Sequence, residues 1–127
     1  MKNLDILAIV SAYTAKKEKG DGIKLPAAVA WKRRLNLDKL FKAKALIDEA
    51  LNEIGQKYAD DDHSDPADDG GRRVKPEYVQ EYATEQAEIL AQETDVDIRM
   101  VRIEELGDIA LTDADMDTLA FMLEEEA

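Results

Sequence analysis

One stretch of the sequence, residues 26–58, can form a single helix that is long for a chain of 127 residues. Pro26 suits the first position of a helix, because its ring fixes φ and its missing N–H group needs no partner there. No further glycine or proline occurs before Gly55, and good helix formers dominate. Apolar side chains recur at three- and four-residue spacing, at Leu37, Leu40, Ile47, Leu51, Ile54 and Tyr58. This pattern predicts a helix with one side to bury.

The length of this helix constrains whatever surrounds it. At about 1.5 Å per residue it would be roughly 45–50 Å long, which exceeds the core of so small a domain. Lys44 interrupts the apolar stripe at one position. Either other segments of the chain or a second copy must cover the stripe. The second alternative predicts a homo-oligomer, most simply a dimer.

Three further helices are predicted around the long one. Asn3 suits the N-cap of a first helix, which Gly20 and Gly22 would end, so that the first two helices form a hairpin. A third helix is predicted from Pro76 to about residue 93. The last helix begins at Thr112, because a Thr followed three residues later by an Asp resembles a capping box.

Residues 96–103 are predicted to form a strand, because apolar and charged side chains alternate over the first part of this range. A single strand cannot satisfy its own backbone groups. It would pair with residues 23–25, with the segment around Val74, or with the same strand of another copy.

The predicted fold class is α+β and predominantly α-helical, with an N-terminal helical hairpin containing one long helix, two further helices and a small β-sheet. We expect a single domain over residues 1–127. Residues 1–59 would form a basic helical hairpin, and residues 76–127 an acidic helix–strand–helix part. Between them, residues 60–75 are rich in Asp and Gly and are predicted to form a mobile acidic loop.

The net charge of −12 conceals two oppositely charged parts. Residues 1–45 contain eleven Lys and Arg against four Asp and Glu, whereas residues 46–127 contain six against twenty-five. The acidic excess disfavours nucleic-acid binding, because phosphates would be repelled. The chain contains no cysteine, no apolar run long enough to span a membrane and no pattern typical of a signal peptide. We therefore expect a cytoplasmic protein.

Two charged clusters are candidate interaction sites. The basic cluster consists of Trp31, Lys32, Arg33, Arg34, Lys39 and Lys42, with Lys24 and Lys44 grouped beside them. The acidic ridge consists of Glu77, Glu81, Glu85 and Glu88. Each cluster also has an ordinary interpretation. The basic cluster has the composition of a solvated helix flank, and the acidic ridge that of a surface that keeps a protein soluble. The acidic ridge could instead present carboxylates where a partner expects phosphates.

No catalytic, metal or cofactor pattern is recognisable. A nucleophile–base pair would require Ser64 and His63, which are neighbours in the predicted loop, whereas such pairs need a rigidly held geometry. The Asp-rich segment fails the spacing of a calcium-binding loop, because its twelfth position, counted from Asp60, is Gly71 instead of Glu. The glycines do not fit a phosphate-binding loop. The prediction is a protein without enzymatic activity, metal or cofactor.

Several short motifs together resemble a family of small phage and prophage proteins of Gram-positive bacteria, DUF1617. They are Lys24-Leu25-Pro26-Ala27, Lys57-Tyr58, Val96-Asp97-Ile98, Leu111-Thr112 and the segment from Leu119 to Glu125. The resemblance covers nearly the whole chain. It implies a phage accessory or assembly setting and supplies no catalytic residue.

Two functions are compatible with these observations. The first is a phage-derived module that binds a host or phage protein, either as an inhibitor of a defence protein or as an assembly chaperone. The alternative is a protein that sequesters a small, nucleotide-like ligand at a subunit interface lined by Lys and Arg.

Overall fold

The fold is given by a computed structural model, which describes residues 1–18, 23–109 and 111–124. Within these residues the chain forms four α-helices and one two-stranded antiparallel sheet, which confirms the predicted fold class. The elements are α1 (Asn3–Glu18), α2 (Ala27–Lys57), β1 (Ser64–Pro66), β2 (Arg72–Val74), α3 (Val79–Ala91) and α4 (Asp113–Leu119). Short 3₁₀ turns occur at Pro76–Tyr78, Ile103–Leu106 and Ala120–Met122. Gly20 and Gly22, which were predicted to end α1, lie outside the described residues.

Helix α2 is the predicted long helix, and the other elements of the same chain cover its apolar side. Pro26 occupies the N-cap position instead of the first helical position, and α2 continues through Gly55 to Lys57. One buried cluster joins α2 to α1 through Ile6, Val10, Leu37, Leu40, Ala43 and Ile47. A second cluster joins the start of α2 to the C-terminal part through Val29, Val101, Leu106, Leu119 and Met122. One chain therefore buries the stripe without a second copy.

Lys44 does not lie in the buried seam. It is half-buried at the side of α2 and forms an ion pair with Asp48, one turn further along the helix. In this turn of α2 the buried residue is Ala43, whose small side chain allows α1 to pack closely. The expectation that Lys44 interrupts the seam was wrong, because the stripe turns gradually around a straight helix.

Asn3 and Thr112 illustrate two outcomes for predicted helix caps. Asn3 is buried inside α1, where its amide donates to the Ile89 carbonyl (2.8 Å) and accepts from the Thr94 hydroxyl (2.6 Å). It thus joins α1 to the end of α3 and is not an N-cap. Thr112 does cap α4: its hydroxyl accepts from the Asp115 N–H (3.1 Å), and the Asp115 carboxylate accepts from the Thr112 N–H (3.0 Å).

The strand predicted at residues 96–103 is absent from the described part of the chain. Only Val101 makes a bridge, to Leu123, and residues 103–106 form a 3₁₀ turn. The backbone of this segment instead bonds to side chains of α2. The fully buried Asn36 donates to the Arg99 carbonyl (2.9 Å) and accepts from the Arg99 N–H (2.8 Å). Residues 23–25, one predicted pairing partner, form no strand.

Residues 60–75, which were predicted to form a mobile acidic loop, contain the β1–β2 hairpin. Ser64 pairs with Val74 and Pro66 with Arg72, and Gly70 takes a left-handed φ of 84° in the turn. Ser64 is buried; its hydroxyl donates to the Asp60 carbonyl (3.0 Å) and accepts from Arg72 Nε (2.7 Å). These polar contacts hold the hairpin despite its few apolar residues.

Candidate functional site: a basic cleft between α1 and α2

A cleft of about 990 Å³ opens between the end of α1, residues 23–25 and the first half of α2. Its walls are Tyr13, Thr14 and Lys17 from α1, Ile23, Lys24 and Leu25 from the connection, and Ala30, Arg33, Arg34, Leu37, Asp38 and Phe41 from α2. The α2 residues follow the three- and four-residue spacing of one helix side. The cleft exists because α1 packs on the adjacent side of α2 and leaves this one open.

The cleft is electropositive although the whole chain is acidic. Among the described residues, four cations line it against one carboxylate, that of Asp38, which pairs with Lys42 (2.9 Å) outside the cleft. Lys17, Lys24 and Arg34 are exposed, and no ion pair involves them within the part of the chain that the structure describes. These three charges are therefore available to a ligand.

Arg33 has a different role from Arg34. Its side chain is nearly buried, and its guanidinium lies 5.0 Å from the centre of the Tyr13 ring, a cation–π contact between α1 and α2. This contact fixes Tyr13 as one wall of the cleft. Arg33 contributes positive charge from beneath the surface, whereas Arg34 presents its charge to solvent.

The part of the cleft away from the exposed cations Lys24 and Arg34 is aromatic and apolar, with the nearly buried Arg33 against the Tyr13 ring. The Tyr13 and Phe41 rings meet edge to face with their centres 6.2 Å apart. Phe41 remains 42% exposed and Leu37 is buried beneath it. Arg34 and Phe41 are seven residues apart, or about 10 Å along α2. The cleft thus has a cationic end and an aromatic end.

The structure brings together three residues of the predicted basic cluster, Lys24, Arg33 and Arg34. Lys32 pairs with Glu105 (3.3 Å), and Lys39 donates to the Asp97 carbonyl (2.8 Å). These two lysines attach the 97–105 segment to α2. Lys42 pairs with Asp38, and Trp31 is exposed outside the cleft. Consecutive residues point in different directions around a helix, which is why the cluster divides.

Sequence reasoning did not assign Tyr13, Lys17 and Phe41 to a site. A usable signal existed for the first two, because Tyr13 and Lys17 are four residues apart on α1 and so share one side of a helix in a predicted hairpin. No local pattern indicates that Phe41 would lie beside Tyr13.

The acidic ridge on α3 is divided in a similar way. Glu77, Glu81 and Glu88 are exposed, whereas Glu85 is partly buried and accepts from Lys57 Nζ (2.5 Å). The hydrogen bond from Lys57 and one from Tyr58 hold the pKa of Glu85 below its usual value. Glu85 therefore joins α3 to the end of α2, and three carboxylates remain as an exposed surface.

Tyr58 lies at the centre of an aromatic group at the far end of α2. Its ring is buried against Tyr82 (5.2 Å between ring centres) and His63 (5.4 Å). The Tyr58 hydroxyl and Glu85 Oε2 are both buried, and neither has a third group of the described residues as a hydrogen-bond partner. We assign them to each other, with the hydroxyl as donor. Burial of the hydroxyl is the main cause, and the hydrogen bond to Glu85 the second, of a pKa of Tyr58 that is raised to about 12.

His63, the only histidine, is held in place by the hairpin. Its Nδ1 atom lies 2.6 Å from Asp60 Oδ1, and its ring packs on Tyr78 with 4.7 Å between centres. Hydrogen bonding to His63 holds the pKa of Asp60 below its usual value. The neighbouring Ser64 hydroxyl is buried and already engaged on both sides. The pair His63 and Ser64 is thus structural and has no free nucleophile.

Acid should weaken the contact between α2 and α3. A carboxyl group whose pKa is lowered in the folded state adds stability above its ordinary value, 4.5 for Glu85, and this stability is lost as the pH falls through the lower, folded value. The melting temperature of Lys57→Met should consequently fall less between pH 7 and pH 3 than that of the wild type. The control is Lys42→Met, which removes an exposed ion pair on the same helix. Equal falls in Lys57→Met and the wild type would contradict the assignment.

The described residues contain neither a metal-binding cluster nor a membrane-spanning helix. Among the described residues, no group of three or more His, Cys, Asp or Glu side chains is arranged to hold a metal ion. None of the described helices is long and apolar enough to cross a membrane.

Comparison with known proteins gives no relative: no family model, no curated protein and no solved structure matches this chain. The resemblance to the phage proteins stays a prediction.

Proposed function

We propose that this protein is a non-enzymatic binding protein that holds an anionic ligand in the cleft between α1 and α2. The observation that carries this proposal is that three exposed cations, Lys17, Lys24 and Arg34, line one cleft without ion pairs among the described residues. Unpaired cations around a concave surface attract anions and form charge-assisted hydrogen bonds with them.

The other lysines of α1 and α2 support this interpretation by contrast. Lys16, Lys32, Lys39, Lys42, Lys44 and Lys57 all pair with carboxylates of the same chain. Acidic side chains are abundant, and yet none neutralises the three cations at the cleft within the described residues. The size of the cleft, about 990 Å³, lies at the upper end of the range typical of small-ligand sites, about 300–1,000 Å³.

The chemistry of the lining supports binding without catalysis. The Thr14 hydroxyl donates to the Val10 carbonyl (2.9 Å), so it is not positioned as a nucleophile. His63 packs on Tyr58, which is seventeen residues beyond Phe41 and about 25 Å further along α2. The cleft thus offers charge and surface but no histidine to act as a base.

The proposal is tested by calorimetric titration of the full chain with two anionic probes, inorganic pyrophosphate and a hexaglutamate peptide, at low and high salt. We expect one molecule of probe to bind per chain, with an affinity that falls as salt rises. Absence of saturable binding by both probes at low salt would contradict the proposal.

A second candidate function, a protein-binding module, is favoured by a different observation. Trp31 is 58% exposed and Leu46 67% exposed, and both project from the part of α2 that faces away from the core. Large exposed apolar side chains are typical of surfaces that bind other proteins. The resemblance to phage proteins suggests the setting for this candidate, as an inhibitor of a host defence protein or an assembly chaperone, in the cytoplasm of the host cell.

The surface with Trp31 and Leu46 also supports the proposal of a homo-oligomer. The two features that led to it, the long apolar stripe and the unpaired strand, are both accounted for within one chain. We expect Trp31→Glu combined with Leu46→Glu to convert a dimer to a monomer in light scattering at micromolar concentration, because the exposed apolar contacts are replaced by charges. A wild-type protein with monomeric mass would contradict the homo-oligomer.

A further inference from the structure

We infer that the ligand of the cleft is a nucleoside monophosphate, whose phosphate lies at the cationic end and whose base lies against Phe41. This inference rests on the proposed function, since it names the chemical class of the anion. The observation that supports it is that the exposed cations and the aromatic rings lie at different positions along the cleft.

The cationic end fits a compact, multiply charged group. Arg34 and Lys17 come from α2 and α1, and Lys24 comes from the connection, so the three charges surround an anion from different elements. A guanidinium offers a planar fork of donors that matches two oxygens of a phosphate, and the lysines add point charges. One phosphate satisfies three separate donors more completely than one carboxylate does.

The aromatic end fits a flat ring. Phe41 is partly exposed, and its ring is held by the edge-to-face contact with Tyr13, which Arg33 in turn fixes from the other side. Nucleobases stack on such aromatic faces without needing specific hydrogen bonds. Leu37 closes the floor between the two ends, and the distance of about 10 Å along α2 from Arg34 to Phe41 is one that a single nucleotide can bridge.

The distribution of charge disfavours two other anions. A polynucleotide would extend beyond the cleft onto a chain with net charge −12, where its phosphates would be repelled. An acidic peptide carries carboxylates along its whole length, whereas the exposed cations of the cleft lie away from its aromatic rings and Arg33, beside Tyr13, is nearly buried. A monophosphate with one ring matches the cleft in size and in polarity.

The experiment is calorimetric titration of the full chain with adenosine 5′-monophosphate, adenosine, ribose 5-phosphate, inorganic pyrophosphate and hexaglutamate. We expect the monophosphate to bind at one molecule per chain, and adenosine and ribose 5-phosphate each to bind at least about tenfold more weakly, because each lacks one of the two contacts. Phe41→Ala should weaken binding of the monophosphate about tenfold and leave pyrophosphate unchanged. Phe41→Tyr should restore the affinity, which shows that the variant's loss comes from the ring.

The outcomes separate this inference from the proposed function. Suppose that pyrophosphate or hexaglutamate binds and that the monophosphate binds no tighter than ribose 5-phosphate. The inference of a nucleotide ligand is then wrong, and the proposal that the cleft binds an anion is retained. If no anion binds, both are wrong. If Phe41→Ala weakens pyrophosphate as much as the monophosphate, the assignment of the base to the aromatic end is overturned.

Discussion

Replacing Asn36 by alanine is expected to lower the free energy of unfolding by about 2–3 kcal/mol, a large fraction of the stability of a small domain. Asn36 is fully buried and makes two hydrogen bonds to the backbone of Arg99. Its loss leaves a carbonyl and an N–H group without their partner and creates a small cavity beside Met122, whose sulfur lies 3.8 Å from Asn36 Nδ2. The segment around residue 99 would lose its main attachment to α2.

Urea denaturation of three variants tests this role. Asn52→Ala is the matched control, because Asn52 is an exposed asparagine on the same helix and its removal should change stability by less than about 0.5 kcal/mol. Asn36→Asp keeps the size of the side chain but replaces its donor by a carboxylate oxygen facing the Arg99 carbonyl. We expect it to destabilise the fold at neutral pH at least as much as Asn36→Ala. Equal stabilities of Asn36→Ala and Asn52→Ala would show that the side-chain bridge does not hold the segment.

Reversing the three unpaired charges of the cleft is expected to abolish anion binding while the fold persists. In Lys17→Glu, Lys24→Glu and Arg34→Glu combined, an anion meets three carboxylates instead of three cations. If each charge-assisted contact contributes at least about 1 kcal/mol, the affinity for pyrophosphate should fall by about 100-fold or more. All three side chains are exposed and none has an ion pair among the described residues, so the melting temperature should change little.

The control for this variant must carry the same change in net charge. Lys2→Glu, Arg73→Glu and Arg99→Glu combined also lowers the net charge by six at exposed positions outside the cleft lining. If binding responds only to the overall field of the protein, the two triple variants will lose affinity equally, which would contradict a site in the cleft. If the cleft binds the anion, the control will retain most of its affinity at physiological salt, where distant charges are screened.

The helical part of the fold was predictable because each helix carries its own signal. The apolar spacing of α2, the proline at its start and the capping box at Thr112 are local properties. The error at residues 96–103 has a different origin. Alternation indicates which side chains are buried, but it does not reveal that Asn36, about sixty positions earlier, would bond to the backbone in place of a neighbouring strand.

The cleft could not be predicted for a related reason. Its lining comes from three segments between Tyr13 and Phe41, and the sequence indicates charge only by proximity along the chain. Grouping Trp31 to Arg34 with Lys39 and Lys42 therefore joined residues that point in different directions. A cation is available to a ligand only if no carboxylate of the chain pairs with it. Tertiary packing decides these pairings, as in the ion pair of Lys32 with Glu105.

The most direct test of the central claim is to follow backbone amide signals by ¹⁵N–¹H NMR while pyrophosphate is added. If the cleft binds the anion, the signals that move will belong to its lining, above all Thr14, Lys17, Lys24 and Arg34, with a common saturation curve. Signals of the β1–β2 hairpin will remain still. Shifts confined to the hairpin, or shifts that grow without saturation across the whole chain, would contradict the proposal that this protein binds an anionic ligand between α1 and α2.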